Sequence, residues 1–260
     1  MSFHRQIASF RCAMAVKTNG AVVRTVAVVM ALVPLVAVSE DRPRELPKDG
    51  AWARYFAESE MLAPEKRKFG STTVLLSFVG TVDDGGEKCR WIERKETVGV
   101  GDDSKSEIIK VLVPEKDLWE SDVPFEHFRR GWVLRVNGQI SEVQKSQQVV
   151  LHLNFAPLLL WTPGMLKDSK LDPDQVMDVA FQKGLLKGAQ SRTGKLALPI
   201  NDYDFSKYAA WQHPDLPIGC AEVHMTREFF RNGKKSRESL TVFRIQETGA
   251  DAKSSLPDQN

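Results

Sequence analysis

Glu222 and His224, His213 with Asp215, and Cys220 with His224 are the pairs whose residue types and spacing offer chemistry. A histidine beside a carboxylate can orient a proton or share a metal ion. Glu222 and His224 lie two apart in a stretch that reads as a strand, so both point to one face about 6.6 Å apart, at ~3.3 Å per residue. They can address one water or one metal, or simply line a solvated face with Thr226 and Glu228, opposite Ala221, Val223 and Met225. Cys220 and His224 would be about 13 Å apart at the same rise, too far to share an ion. In His213-Pro214-Asp215 the carboxylate can orient the imidazole, with Cys220 or a serine as nucleophile, or the two prolines near it can make a rigid turn. The other histidines after position 39, His127 and His152, stand alone. No Gly-x-Ser-x-Gly, phosphate loop, His-Glu-x-x-His or Cys-x-x-Cys is present. The sequence therefore names no catalytic residue, metal ligand or cofactor.

Six tryptophans follow the same logic. Trp52, Trp91 and Trp211 fall in strand-like stretches and Trp161 ends an apolar run. These four are the candidate ligand-lining residues for a lipid or sugar, with burial in a large β core as the structural alternative. Cys89 and Cys220 form either one disulfide, which would stabilise by ~4–5 kcal/mol on the chain-entropy account, or two separate buried thiols. Lys66-Arg67-Lys68 and Lys234-Lys235 are short basic runs. Solvated turns explain them, and contact with anionic headgroups is the functional alternative.

The elements that must hold these residues begin after a leader. Residues 1–39 carry Arg5, Arg11, Lys17 and Arg24 with no acid, then an apolar run from Val26 to Val38, then Ala37-Val38-Ser39 before Glu40-Asp41. Basic flank, short apolar run and small-x-small site read as a signal peptide, with translation starting at Met1 or Met14. The run is shorter than the roughly 20 apolar residues of a spanning helix, so no stable transmembrane anchor is expected. Export to the periplasm or beyond follows. The whole chain has 36 basic and 34 acidic side chains. Residues 40–260 retain 32 basic and 34 acidic, a net charge of −2, which argues against nucleic acid as a partner.

Residues 40–50, polar with two prolines, read as a linker, residues 51–248 as one β domain, and residues 249–260 as a flexible tail. Within the domain, apolar residues alternate along Trp52–Phe56, Ser71–Val82, Lys88–Val98 and Glu107–Val113, the period of half-buried strands. Cys89, Trp91 and Glu93 share one face. Asp83-Asp84-Gly85-Gly86 and Asn137-Gly138 are hairpin turns, because their glycines take positive φ. Residues 115–131 read as short helical turns and loop. Residues 147–161 are apolar and helical at the start, broken by Pro157 and Pro163. Met177–Gln182, Leu185–Ala189, Asp204–Gln212, Gly219–Arg231 and Ser236–Glu247 complete about ten strands. The expected fold is mainly β: one curved antiparallel sheet, a half-barrel or open barrel, with a few short helices.

Trp211-x-His213-Pro214-Asp215-x-Pro217-x-Gly219, Cys89-Arg90-Trp91-Ile92-Glu93 and Leu158-Leu159-Leu160-Trp161-Thr162-Pro163-Gly164 together resemble an uncharacterised group of secreted bacterial proteins. The order of elements (hairpins, a helical middle, a Trp-to-Pro stretch and a final hairpin) is more distantly similar to the lipoprotein-carrier half-barrel. That resemblance implies a sheet covered by helices whose inner side binds acyl chains. It supplies no catalytic motif. The expected function is thus a non-catalytic carrier or binding protein for an apolar or amphipathic ligand in the envelope. A structural or protein-interaction module contacting an envelope protein is the alternative, and a hydrolase using His213 or His224 the third reading.

Overall fold

The computed structural model describes residues 45–99, 101–166, 169–181, 184–196, 203–231 and 234–256, and the leader expected at 1–39 lies outside them. In chain order the strands are β1 (Trp52–Ala63), β2 (Arg67–Asp84), β3 (Glu87–Val98), β4 (Lys105–Pro114), β5 (Arg130–Leu134), β6 (Ile140–Glu142), β7 (Lys170–Phe181), β8 (Gly184–Leu196), β9 (Tyr203–Gln212), β10 (Glu222–Arg231) and β11 (Lys234–Gly249). They form one antiparallel sheet in the order β6-β5-β4-β3-β2-β1-β11-β10-β9-β8-β7. β6 and β7 are its two edges and the sheet does not close. Three helices, α1 (Glu115–Glu120), α2 (Gln148–Leu159) and α3 (Pro163–Leu166), fall between β4 and β7. The expectation of a mainly β, single-sheet fold holds, in its open form.

Local chemistry accounts for the turns. Gly85 and Gly86 have φ of 68° and 81°, and the Asp83 carboxylate accepts the Gly86 N–H at 2.8 Å. At the second hairpin Gly138 has φ 82° and Asn137 Oδ1 accepts the Gln139 N–H. Only glycine adopts these angles without strain.

Alternation then sorts the side chains. The inner face carries Ala53, Tyr55 and Ala57 on β1, Val74, Leu76 and Phe78 on β2, Ile92 on β3, Ile109, Val111 and Val113 on β4, and Val223 and Met225 on β10, all buried. Against them lie Leu118, Phe125 and Phe128, then Leu151, Phe155 and Leu158 of α2, then Trp161 and Met165. Each large side chain placed there contributes about 1.5–3 kcal/mol of burial.

Pro157 was expected to break the apolar helix, but α2 runs through it to Leu159. A proline has no N–H for the carbonyl four residues back, here that of Leu153. The Arg227 guanidinium of β10 donates to that carbonyl at 3.2 Å. The sheet thus supplies the hydrogen bond that the helix cannot, and the interruption is tolerated. Gln212 repeats the device at the helix end, its side-chain amide donating to Leu160 O at 3.1 Å.

The segments flanking the sheet are bound to it. Residues 45–50, expected as linker, include buried Pro47. Asp49 accepts Arg90 Nη1 at 2.5 Å and the Thr81 hydroxyl at 2.8 Å. Residues 249–256, read as part of a flexible tail, make hydrogen bonds to the sheet. The Ala252 N–H donates to Gly50 O, and the Trp52 indole N–H to Asp251. The Ser255 N–H and Ser254 hydroxyl donate to the Glu93 carboxylate at 3.0 Å, and Leu256 is buried. The tail has partners because Glu93 is an otherwise buried acceptor, a requirement invisible in the tail's own polar composition.

Two predictions follow from the covering helix. Arg227→Met leaves the Leu153 carbonyl unpaired and costs about 1–3 kcal/mol in urea unfolding. In a Pro157→Ala background, where residue 157 regains its N–H, the same change costs clearly less. Equal costs in both backgrounds would disprove the pairing. His152 of α2 is 4 % exposed, and among the described residues neither ring nitrogen has a hydrogen-bond partner. Burial lowers its pKa to about 4, against a smaller opposing pull from Asp122. The unfolded chain therefore takes up this proton first, so the stability His152 protects is present above about pH 6.5 and falls away towards pH 4, by about 3 kcal/mol. His152→Phe should flatten that limb of the stability–pH curve measured by urea unfolding.

Candidate binding surfaces

A carrier would hold its ligand on the inner face, and there the chain's own side chains stand. α2 follows the apolar run from Val149 to Leu159, and α3 restarts after Thr162, whose hydroxyl donates to Leu159 O. Gly164 admits the close approach of α1, since a Cβ there would overlap the Ser121 backbone. Trp161 is 3 % exposed, packs against Phe78 with ring centroids 6.2 Å apart, and donates its indole N–H to Leu158 O at 3.0 Å. Tyr55 is fully buried, its hydroxyl against Gly219 and Cys220, and burial together with that thiol raises its pKa well above the usual range. Gly219, at φ 77°, closes the Trp-to-Gly motif because a Cβ there would collide with the Tyr55 hydroxyl. Two open hollows are lined by described residues. One of about 470 Å³ is lined by Lys105, Glu107, Arg135, Val136 and Asn137. The other, of about 420 Å³, is lined by Arg54, Ala180, Phe181, Ile245 and Gln246.

The four candidate tryptophans do not meet. Trp161 lies on the inner side. Trp52 sits at the start of β1, half-buried, bonded to Asp251. Trp211 is on the face of β9 shared with Glu222, its register partner, and meets the His224 ring edge-on at 4.9 Å. Trp91 is on the outer face of β3, where it packs with Cys89, Leu112, Val79 and Val82.

Around Trp91 the outer face carries a cluster that sequence reasoning found only in part. Cys89, Trp91 and Glu93 do share this face. Trp132 of β5 lies 5.3 Å from the Trp91 ring. Lys110 Nζ sits 4.8 Å above that ring and the Arg130 guanidinium 5.8 Å from it. Lys110 is 1 % exposed and stands opposite Glu93 in register. A single cation inside Ile108-Ile109-Lys110-Val111-Leu112-Val113 was the available signal, since lysine is buried only with partners to hold it. The result is an aromatic pair flanked by cations, beside the bound residues 254–256.

The histidine pairs separate cleanly. His213 Nδ1 accepts the Asp215 N–H at 3.2 Å and Nε2 bonds Lys187 O at 3.1 Å. The ring therefore carries its proton on Nε2, both nitrogens are engaged by backbone, and the exposed Asp215 carboxylate lies 3.7 Å from Nδ1. The segment forms a turn, with the Leu216 N–H donating to His213 O, and the histidine ties β9 to β8. His224 and Glu222 do pair, Nε2 to Oε1 at 2.5 Å, with Arg244 Nε 3.4 Å from the other carboxylate oxygen. Glu222 is buried and His224 partly exposed. Neither hollow includes this pair. Among the described residues no group of three His, Cys, Asp or Glu side chains could hold a metal ion.

Cys89 and Cys220 are both unbridged and buried. Cys89 belongs to the outer cluster, where burial raises its thiol pKa, and Cys220 to the main core. Four strand steps part β3 from β10. Of the two readings left open by the sequence, separate thiols are the one present.

Among the described residues no helix is long and apolar enough to cross a membrane. No protein-family model matches the chain, and no curated protein matches it. A solved structure described as a candidate exported protein with a YmcC-like fold, from Bacteroides fragilis, is similar at 8 % identity, covering 78 % of this chain and 98 % of that one, with a TM-score of 0.27. At that score the similarity carries no argument about fold or function.

Proposed function

We propose that this chain is an exported, non-catalytic binding module of the bacterial envelope that meets its partner on the outside of the sheet. The observation that supports this reading is the filled inner face: Leu151, Phe155, Leu158 and Trp161 occupy the space against Val74, Leu76 and Phe78 that a carrier would keep for acyl chains. The basic, acid-free leader supports export. Half-buried Trp132 and exposed Arg130, which lie over the buried Trp91 ring with Asp84 3.6 Å from the guanidinium, offer an outer contact of aromatic edge and positive charge, residue types enriched where proteins recognise partners.

The carrier reading has one observation in its favour. α2 contains a buried histidine without a hydrogen-bond partner and a proline that depends on Arg227, so it is the element of the inner layer with most to gain by leaving. An acyl chain would then take its place. Native mass spectrometry of the exported protein, purified without detergent and compared before and after organic extraction, separates the two. The expected result is one protein mass without adduct, and a lipid released by extraction would overturn the surface reading in favour of the carrier. A photo-cross-linker at exposed Arg130 should capture an envelope component in whole cells, whereas one at buried Leu158 should not.

A further inference from the structure

Two basic runs some 165 residues apart in the chain are brought together at one end of the sheet. β1 pairs with both β2 and β11, so the β1–β2 hairpin and the β10–β11 hairpin project side by side. The strands outrun the helical layer there. Ala53, Tyr55 and Ala57 of β1 are buried, Ser59 and Met61 are half-buried, and residues 67–71 of β2 and 234–237 of β11 are exposed. Lys66, Arg67, Lys68, Arg231, Lys234, Lys235 and Arg237 all sit at this end.

Seven cations face four carboxylates. Lys66 lies 3.7 Å from Glu60, and Lys235 contacts Glu228 and Glu238. Glu65 is exposed beside them. Among the described residues Arg67, Lys68, Arg231, Lys234 and Arg237 have no carboxylate partner. Arg237 is held by aromatic rings instead, 5.3 Å from Phe69 and 5.3 Å from Phe229. Phe69 is the extra residue of a bulge, because Ser59 pairs with Gly70 and Glu60 with Lys68. It is 48 % exposed. Bulges re-aim side chains, and further register shifts at Met61/Ala63 and Phe229/Phe230 place three of them at this one end. Simple turns would require neither the convergence of both runs nor an outward phenyl ring among them.

We propose that this end of the sheet docks on an anionic membrane surface, with the five unpaired cations against lipid headgroups and Phe69 entering the interfacial layer. Cations around an exposed apolar residue suit a headgroup boundary, where charge and apolar burial act together. Residues 40–260 have no basic excess, so the attraction is local to the tip and the rest of the surface does not favour a long polyanion. The inference builds on the surface-binding reading above and names a partner for it.

The test is co-sedimentation of the full purified chain, its N-terminus read by intact mass, with vesicles of phosphatidylglycerol and phosphatidylethanolamine or of phosphatidylcholine alone. Binding is expected to the anionic vesicles only, weakening as salt is raised from 0.1 to 0.5 M. Substituting R67Q, K68Q and K234Q together should weaken it about 100-fold, and Phe69→Ser about tenfold. K170Q, K187Q and K253Q together, three exposed cations away from the tip, should leave binding unchanged, and circular dichroism checks that every variant is folded. Unaltered binding by the tip variants would overturn this inference alone. Binding to heparin or duplex DNA without binding to vesicles would replace the membrane by a soluble polyanion and overturn it too. Removal of lipid from the vesicles into the soluble fraction, by tip variant and parent alike, would overturn both this inference and the surface reading beneath it.

Discussion

The inner face of the sheet has to be covered, and most of residues 115–166 is arranged by that constraint. Ala53, Tyr55, Ala57, Val74, Leu76 and Phe78 form an apolar field in the middle of an open sheet. A sheet closed on itself would bury such a field internally; one with its edges apart needs another layer. The covering segment was available as a helix only at a cost, because it contains Pro157. Arg227, Gln212 and Thr162 supply hydrogen bonds at the carbonyls where the helical ladder is incomplete or ending. The cover and the sheet are therefore fitted to each other through polar contacts at specific carbonyls as well as through packed apolar surface.

Positions governed by near neighbours were legible in the sequence. Gly85, Gly86 and Gly138 have the positive φ that their turns require. Alternation placed Cys89, Trp91 and Glu93 together, and Glu222 with His224 opposite Val223. What long-range pairing decides was not legible. Nothing near Pro157 announces Arg227, seventy residues away. Nothing near Gly219 announces Tyr55. The polar composition of residues 249–256 reads as loose because their acceptor, Glu93, lies on another strand. The candidate surfaces divide the same way: Trp91 was visible as a residue, but its pairing with Trp132 and Lys110 depends on the order of β3, β4 and β5.

The two free edges are guarded differently. β6 has three residues, too short to template a partner strand. β7 has twelve, but it contains Pro173, which cannot donate to a ladder, and Asp172, Asp174 and Asp178, with irregular register against β8. An eleven-strand sheet left open thus presents little regular backbone for edge-to-edge association.

The central position of β1 beside β11 has a consequence for the order of folding. Trp52 pairs with Gly249, and the core strand that carries Tyr55 gains its second neighbour only from the last strand of the chain. Closing a loop of that length carries an entropic cost of about 5 kcal/mol plus a constant, and contacts so distant in sequence make assembly slow. A ribosome would release nearly the whole polypeptide before its middle could be finished. Until the last strand arrives, the middle of the sheet stands with one open edge.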